Sequence, residues 1–236
     1  MGQEKLIKIF GERPTRMDLL KDSISRIELT KESRILEAGC SFGDGIAYAC
    51  EYTGASGYGI DLLEDYIVKA REKHKNIDFQ VGSVYGLSYD NDFFDLVFSQ
   101  AAFSLLKEKD KAIKEYYRTL KPGGHVIIND FVIKEKVEGM VMEEMDFIPC
   151  FNSIGTIEEY VNYFKEEGFK VVLAEDRYSE IVRTTLHLSK EYKCTPMEMA
   201  ALFAQILGNS EDSVQRSQCF FNRAKVSYGQ LIFKKV

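Results

Sequence analysis

Apolar and polar positions alternate along the chain in blocks that predict strands and helices in turn. Between residues 34 and 131, short apolar runs of strand length are each followed by a turn or a segment with helical spacing. In one such segment Leu63, Ile67 and Ala70 share a helical face. The predicted strands are residues 34–38, 57–61, 77–81, 94–98 and 125–131, and the predicted helices are residues 44–52, 62–74 and 107–120. Alternation of this kind predicts a parallel sheet covered by helices on both faces.

Segments on either side extend this predicted core. Before it, the spacing of apolar residues predicts a helix within residues 17–27. After it come a predicted helix at 156–168 with Thr156 as its cap, a strand at 170–174, a helical region at 176–226 and a last strand at 228–233. Because no repeat or Pro-rich linker divides the chain, residues 1–236 are predicted to form one domain. Residues 34–131 are its core, and residues 132–168 and 176–226 are the predicted substrate cap.

Charge and composition exclude several classes of function. The 236 residues carry 31 Lys and Arg against 37 Asp and Glu, a formal net charge of -6, so no positive field is available to hold a nucleic acid. No apolar run approaches the ~20 residues of a membrane span, and the N-terminus has no signal-peptide pattern. A cytoplasmic protein without a membrane partner is expected. The five cysteines are scattered without a CxxC pair, which predicts reduced thiols and no metal site.

A glycine-rich turn follows the first predicted strand. Residues 37–45 read Glu-Ala-Gly-Cys-Ser-Phe-Gly-Asp-Gly and connect a strand to a helix, where main-chain N–H groups can approach a ligand closely. A dinucleotide-binding GxGxxG would need glycines where Ser41 and Asp44 stand, so that match is poor.

The same turn also fits the GxSxG pattern of a serine hydrolase, with Ser41 as the nucleophile. That fold places its serine after several strands, whereas one strand precedes Ser41 here. The histidines available as the base are His125, at a strand start, and His187, in a helical region. The hydrolase remains a remote alternative.

A third interpretation rests on a series of motifs in order. Glu37 lies in the first strand, the glycine turn follows, and Asp61 closes the second strand. Phe94-Asp95-Leu96-Val97 forms the fourth strand, and Leu120-Lys121-Pro122-Gly123-Gly124 precedes the fifth. This series resembles the class I S-adenosylmethionine-dependent methyltransferases, and among them the small-molecule family typified by ubiquinone-biosynthesis C-methyltransferases.

The resemblance implies an α/β fold, a Rossmann-like, seven-stranded, mainly parallel sheet with helices on both faces. The last strand is antiparallel, and a helical insertion precedes it. It also implies S-adenosylmethionine as cofactor and methyl transfer to a small molecule. Such transfer needs no universal catalytic residue, because the electrophile is already activated, so no catalytic residue is assigned.

The resemblance also implies a set of cofactor-binding residues. Glu37 would accept from the ammonium group of the cofactor, Asp61 from both ribose hydroxyls, and Leu62 would cover the adenine. Ser41 stands where the family has a glycine, and a serine is expected there only with a negative φ. The full set is Glu37, Gly39, Ser41, Gly43, Asp61, Leu62, Ser83, Val84, Ser99 and Gln100. The structural alternatives are a helix cap for Asp61 and a buried partner of a nearby amide for Glu37.

Residues outside the core would bind the acceptor. Arg16 or Arg183 would hold an anionic acceptor, and Phe103 and Phe151 would form apolar walls. Cys150 lies where arsenite methyltransferases also have a cysteine, which leaves a thiol-bound metalloid as an alternative substrate. A second alternative is a cofactor-binding subunit without transfer activity. A homodimer through the helical insertion is a further expectation.

Overall fold

The computed structural model of the protein describes residues 16–136, 153–195, 198 and 223–236. Seven strands lie in these ranges: β1 Arg34–Ala38, β2 Ser56–Asp61, β3 Asp78–Val81, β4 Phe94–Gln100, β5 Leu120–Ile133, β6 Phe169–Asp176 and β7 Val226–Lys235. The helices are α1 Arg16–Ile24, α2 Asp44–Thr53, α3 Glu64–Lys73, α4 Lys109–Thr119, α5 Ile157–Glu166 and α6 Tyr178–Tyr192, with a short 3₁₀ turn at Phe103–Leu105.

The seven strands form one sheet in the order β3-β2-β1-β4-β5-β7-β6. Strands β1 to β5 pair in parallel, whereas β7 pairs antiparallel with both β5 and β6. The predicted fold class, a mainly parallel seven-stranded sheet with an antiparallel last strand, is confirmed. The carboxyl ends of β1, β2, β4 and β5 consequently meet at one edge, here called the carboxyl edge.

The fifth strand begins earlier than the sequence predicts. Residues 121–124 were expected to form the turn that ends the preceding helix, with the strand starting at His125. Instead Leu120 already pairs with Phe94, and the register shifts before Leu96 pairs with His125. Two residues along β4 are therefore matched by five along β5, and the three extra residues, with Gly123 at a φ of 79°, bulge out without ending the strand.

Alternating strand residues divide the core between the two faces of the sheet. On one face Ile35 packs with Ile46 of α2 and Ile67 of α3, in a cluster that also contains buried residues of α1. On the other face Leu36 packs with a cluster that includes Tyr116 of α4. Because both faces are covered, the short loops of the carboxyl edge are where a ligand can approach the backbone.

Helix α1 is tied to the sheet by a buried polar network. Ser23 lies 3.2 Å from the side chain of Asn129 in β5 and accepts at 2.7 Å from Gln230 in β7. The Gln230 side chain also donates to Asp22 at 2.7 Å and accepts from Arg177 at 2.7 Å. Such pairing is needed because a buried polar group without a partner costs about 1–3 kcal/mol. The network fixes α1 over β5 and β7.

Helix α6 starts at the carboxyl edge. Strand β6 runs antiparallel to β7, so that Asp176 pairs with Gly229, which in turn pairs with Asp130 near the carboxyl end of β5. Residues 178–192 therefore begin level with the end of β5. Within the described ranges, no helix combines the length and apolar content needed to cross a bilayer.

The predicted cap of helix α5 is present as a capping box. The Thr156 hydroxyl accepts from the Glu159 N–H at 3.1 Å, and the Glu159 carboxylate accepts from the Thr156 N–H at 2.9 Å. We expect Thr156→Ala to lower stability by about 1 kcal/mol, because a helix N–H loses its acceptor. This corresponds to a fall of roughly 2–4 °C in Tm, measurable by calorimetry. Thr156→Ser keeps the hydroxyl, and a loss as large as that of the alanine variant would contradict the capping role.

Candidate functional site

The loop after β1 lies at the point where the strand order reverses. Strand β1 has β2 on one side and β4 on the other, so the chain leaves the sheet in opposite directions and a crevice forms between the loops. The N–H groups of Gly39 and Cys40 both donate to the Ile60 carbonyl, at 2.9 and 3.0 Å. These bonds hold the glycine-rich loop against the end of β2.

Three residues of this loop have left-handed backbones. Gly39, Ser41 and Gly43 have φ values of 77°, 50° and 79°. The expected negative φ at Ser41 is therefore wrong. The φ > 0 conformation is unfavourable for a serine, and it is held because the Ser41 N–H donates to Asp61 Oδ2 at 2.9 Å.

The Asp61 carboxylate bridges two loops of the carboxyl edge. Its Oδ2 accepts from the Ser41 N–H, and its Oδ1 accepts from the Leu63 N–H at 3.0 Å, just before α3 begins. The helix-cap alternative is thus part of its role. Asp61 is half-buried, and neighbouring Leu62 is 71% exposed. Each carboxylate oxygen has a further lone pair available to a ligand.

Glu37 is a fully buried carboxylate in β1, one residue before the loop. Its Oε2 accepts from the Ile46 N–H in the first turn of α2 at 2.7 Å, and its Oε1 lies 3.5 Å from the guanidinium of Arg16. Burial raises the pKa of Glu37 to about 7, even though Arg16 and the Ile46 N–H lower it. The close approach to α2 requires Gly45, because a Cβ at that position would collide with the Glu37 carboxylate.

Other buried polar atoms of this edge have no hydrogen-bond partner in the described part of the chain. They are Glu37 Oε1, Ser41 Oγ and both side-chain amide atoms of Gln100. The Gln100 amide lies close enough to lower the pKa of Glu37 without reaching hydrogen-bond geometry. Buried polar atoms are normally paired, so their convergence here indicates a polar ligand.

A clamp that sequence reasoning missed supports the start of α2. Asp44 Oδ1 lies 2.5 Å from Lys73 Nζ and 3.0 Å from His74 Nε2, both at the end of α3. Burial alone would raise the pKa of Asp44, but these partners outweigh it and the pKa is lowered. The sequence spacing of about thirty residues carries no signal for this contact.

Comparison with known proteins gives the site a context. Residues 36–128 match a family model described as a methyltransferase domain. The chain is 29% identical over 198 residues to a phosphoethanolamine N-methyltransferase of Plasmodium falciparum, covering 78% of this chain and 74% of that protein. It is 27% identical over 193 residues to a phosphoethanolamine N-methyltransferase of Zea mays, covering 78% of this chain but 38% of the relative.

Solved structures agree on the fold. A putative sarcosine dimethylglycine methyltransferase from Galdieria sulphuraria has a TM-score of 0.75 at 18% identity, covering 93% of this chain and 84% of that chain. Phosphoethanolamine N-methyltransferase 2 from Haemonchus contortus, in complex with S-adenosylmethionine, has a TM-score of 0.75 at 19% identity, covering 97% and 55%.

The chain has the class I S-adenosylmethionine-dependent methyltransferase fold. The family model and the relatives support the predicted class of methyltransferase and its cofactor, whereas the ubiquinone-biosynthesis subfamily stays a prediction.

The class I site residues fit the amino-acid end of this cofactor. The buried carboxylate of Glu37 can accept from the ammonium group of the cofactor, and the amide of Gln100, which both donates and accepts, can bond to its ammonium or its carboxylate. Gly39 has a Cβ position 2.6 Å from the Ala102 Cβ, so only a glycine leaves the loop this close to the segment after β4. Glu37, Gly39, Ser41, Asp61 and Gln100 therefore lie around one crevice.

The remaining predicted cofactor residues have varied surroundings. Gly43 precedes α2 as its N-cap, and Ser99 is buried beside Gln100 in β4. The Ser83 hydroxyl accepts from the Tyr85 N–H at 3.2 Å, and Val84 packs partly against the core. The predicted contacts of Ser83 and Val84 with adenine stay predictions.

The predicted acceptor residues have different surroundings. Arg16 points to Glu37, whereas Arg183 is exposed on α6 and lies 3.6 Å from Glu180. Phe103 is fully buried in the core. Cys150 and Phe151 lie outside the described residues.

Two cysteines and one histidine bear on the alternatives. Burial raises the pKa of Cys40 and raises that of Cys50 to about 11, which makes both poor thiolate ligands. Ser41 Oγ bonds to no base within the described residues. His125 pairs with Leu96, which lies level with Ile35 near the amino ends of the strands, whereas Ser41 lies in the loop beyond the carboxyl end of β1. The hydrolase alternative therefore lacks a Ser–His pair in this part of the chain.

Lys109 is a buried cation that the sequence did not indicate. Its Nζ donates at 2.6 Å to the Leu106 carbonyl and at 2.6 Å to the Ser153 carbonyl. Burial lowers the pKa of Lys109 to about 8, although Asp130 and Glu159 raise it. It joins the start of α4 to the loop before α5.

The buried Glu37 makes stability depend on pH. Its pKa is raised from 4.5 to about 7, so the native state holds the proton more tightly than the unfolded chain, and stability falls as the pH rises through this window. We expect Glu37→Gln, which cannot titrate, to gain roughly 3 kcal/mol relative to the unmutated protein between pH 4.5 and 7.5. Urea unfolding at both pH values measures this. Glu158→Gln is the exposed control, and an equal gain at both pH values for Glu37→Gln would contradict the assignment.

Gly39 is expected to resist substitution. In Gly39→Ala a Cβ must fit 2.6 Å from Ala102 Cβ at a φ of 77°, so we expect a loss of about 1–3 kcal/mol in unfolding free energy. Gly86→Ala is the matched control, because no atom lies within 4 Å of its Cβ position. Equal stabilities of the two variants in urea would show that the loop is not tightly packed.

Proposed function

We propose that the protein transfers a methyl group from S-adenosylmethionine to a small-molecule acceptor. The observation that carries the proposal is the convergence of Glu37, Ser41 and Gln100 beside the carboxylate of Asp61; each of the three has a buried polar atom without a hydrogen-bond partner among the described residues. A polar ligand that bridges these groups would satisfy them together.

The chain's own residues would act by binding and orientation. Glu37 would hold the ammonium group and Asp61 the ribose hydroxyls, which sets the direction of the reactive end toward Ser99 and Gln100. When bound, the cofactor supplies a methyl group on a positively charged sulfur; a nucleophile can attack the methyl carbon in line with the C–S bond, which breaks to leave a neutral thioether. The acceptor would approach across the carboxyl edge, where α6 begins.

Relatives support a small amine as the acceptor. Two relatives are named phosphoethanolamine N-methyltransferases, and one structural neighbour is named a sarcosine dimethylglycine methyltransferase. An arsenite methyltransferase of Halobacterium salinarum matches at 27% identity over 146 residues, but the buried thiols of Cys40 and Cys50 are unsuited to binding as thiolates. A screen with phosphoethanolamine, ethanolamine, sarcosine and arsenite, detecting S-adenosylhomocysteine, separates these classes.

The cellular setting belongs to the same proposal. We retain the expectations of a cytoplasmic protein, with no nucleic-acid or membrane partner, that works alone or as a homodimer. The acidic net charge of -6 supports the exclusion of nucleic acid.

Calorimetric titration of S-adenosylhomocysteine tests the cofactor site. We expect Asp61→Ala to weaken binding at least tenfold, because hydrogen bonds to a charged group are worth about 1.5–3 kcal/mol and each tenfold is 1.4 kcal/mol. Asp61→Asn keeps one acceptor oxygen, so its affinity should lie between those of Asp61→Ala and the unmutated protein. Asp65→Asn is the control, since Asp65 is exposed in the first turn of α3. Unchanged affinity in Asp61→Ala would remove the proposed ribose contact.

A further inference from the structure

Arg16 is the first residue of α1 and reaches into the site from outside the parallel core. Its side chain is only 14% exposed, and its guanidinium lies 3.5 Å from Glu37 Oε1. The other carboxylate oxygen, Oε2, is already bonded to the Ile46 N–H. Arg16 therefore approaches the one oxygen of Glu37 that remains for a ligand.

We propose that Arg16 is a built-in competitor for the cofactor's ammonium group: it neutralises Glu37 when no cofactor is bound and is displaced from Oε1 when the ammonium arrives. This inference rests on the proposed function, because it takes Glu37 as the ammonium acceptor. It also gives α1 a role, because cofactor binding would change the contact that the first residue of this helix makes with the site.

A buried carboxylate needs a resident counter-ion. Glu37 is fully buried, and the cost of burying an unpaired charge is several kcal/mol. From α2, Asp44 adds a like charge and raises the pKa of Glu37 further. The nearby thiols of Cys40 and Cys50 are held neutral by burial, and the Gln100 amide of β4 carries no charge. Among the described groups that shift the pKa of Glu37, Arg16 is thus the only cation.

Geometry makes this pairing a weak one that a better-placed cation can replace. At 3.5 Å, the contact between Arg16 and Oε1 is longer than the 2.7–2.9 Å of a charge-assisted hydrogen bond, and Oε1 makes no hydrogen bond in the described part of the chain. Helix α1 is held to the sheet at its other end, through Ser23 and Asp22. The side chain of Arg16 can therefore leave Oε1 without breaking that network.

The competition operates only where Glu37 is ionised, so its effect on binding changes with pH in a specific way. At pH 6 Glu37, with a pKa of about 7, is largely protonated in both proteins, so the ammonium must expel a proton in each, and Arg16→Gln binds about as tightly as the unmutated protein. At pH 8.5 the carboxylate is ionised in both proteins, and the variant, which lacks the competitor, binds more tightly. We expect the ratio of the dissociation constants, variant over unmutated protein, to fall from about 1 at pH 6 to about 0.2 at pH 8.5.

Titration calorimetry with S-adenosylhomocysteine from pH 6 to 8.5 measures this ratio, in which the titration of the ligand's own amine cancels. 5′-Methylthioadenosine, which lacks the amino-acid end, is the matched ligand, and its ratio should stay near 1. Arg16→Lys keeps the charge and should give a ratio near 1, as should Arg26→Ala, which removes an exposed arginine beyond the end of α1 that pairs with Asp22.

Three outcomes would overturn the inference. They are a ratio for S-adenosylhomocysteine that does not change with pH, a ratio that stays above 1 at pH 8.5, and an equal change for 5′-methylthioadenosine. Each would mean that Arg16 supports binding directly or only stabilises the fold. Failure of the unmutated protein to bind either ligand would instead contradict the proposed function, so the two failures are distinguishable.

Discussion

The buried carboxylate of Glu37 is the constraint around which the site is organised. A charge with no exposure must be compensated locally, and the compensation comes from three elements at once. Helix α2 supplies the Ile46 N–H, α1 supplies Arg16, and β4 brings the Gln100 amide nearby. Removing any of these would leave the buried carboxylate with fewer compensating groups, and protein interiors seldom leave such a group unpaired.

The glycine-rich loop follows from the same constraint. For α2 to start close enough for Ile46 to reach Glu37, position 45 must lack a side chain, and Gly39 must pass beside Ala102. Ser41 breaks the pattern of glycines, yet its left-handed backbone is stabilised by Asp61 at the end of β2. Two acidic side chains from neighbouring strands therefore shape one loop, and both remain able to accept from a ligand.

The first helix connects this site to the antiparallel side of the sheet. One end of α1 contacts Glu37, while Ser23 and Asp22 bond to Gln230 in β7. Arg177, which precedes α6, joins the same network. A ligand that changes the contacts of Arg16 would thus act on a helix that is bonded to the base of α6, on the side from which an acceptor would approach.

Local pattern determined much of this protein. Apolar spacing predicted the strands of the core to within a few residues, apart from β5, and the motif order placed Glu37, the glycine loop and Asp61 at one edge, because parallel strands share their carboxyl ends. Thr156 was recognisable as a cap because capping depends on residues only three positions apart.

Contacts between distant segments were decided only by the tertiary structure. Three contacts join residues that lie 21 to 44 positions apart. They are Arg16 with Glu37, Asp44 with Lys73 and His74, and Lys109 with the Ser153 carbonyl. No periodicity encodes them, because they depend on how helices lie across the sheet. The positive φ of Ser41 is likewise stabilised by Asp61, twenty residues away, and the presence of a serine in the sequence does not indicate it.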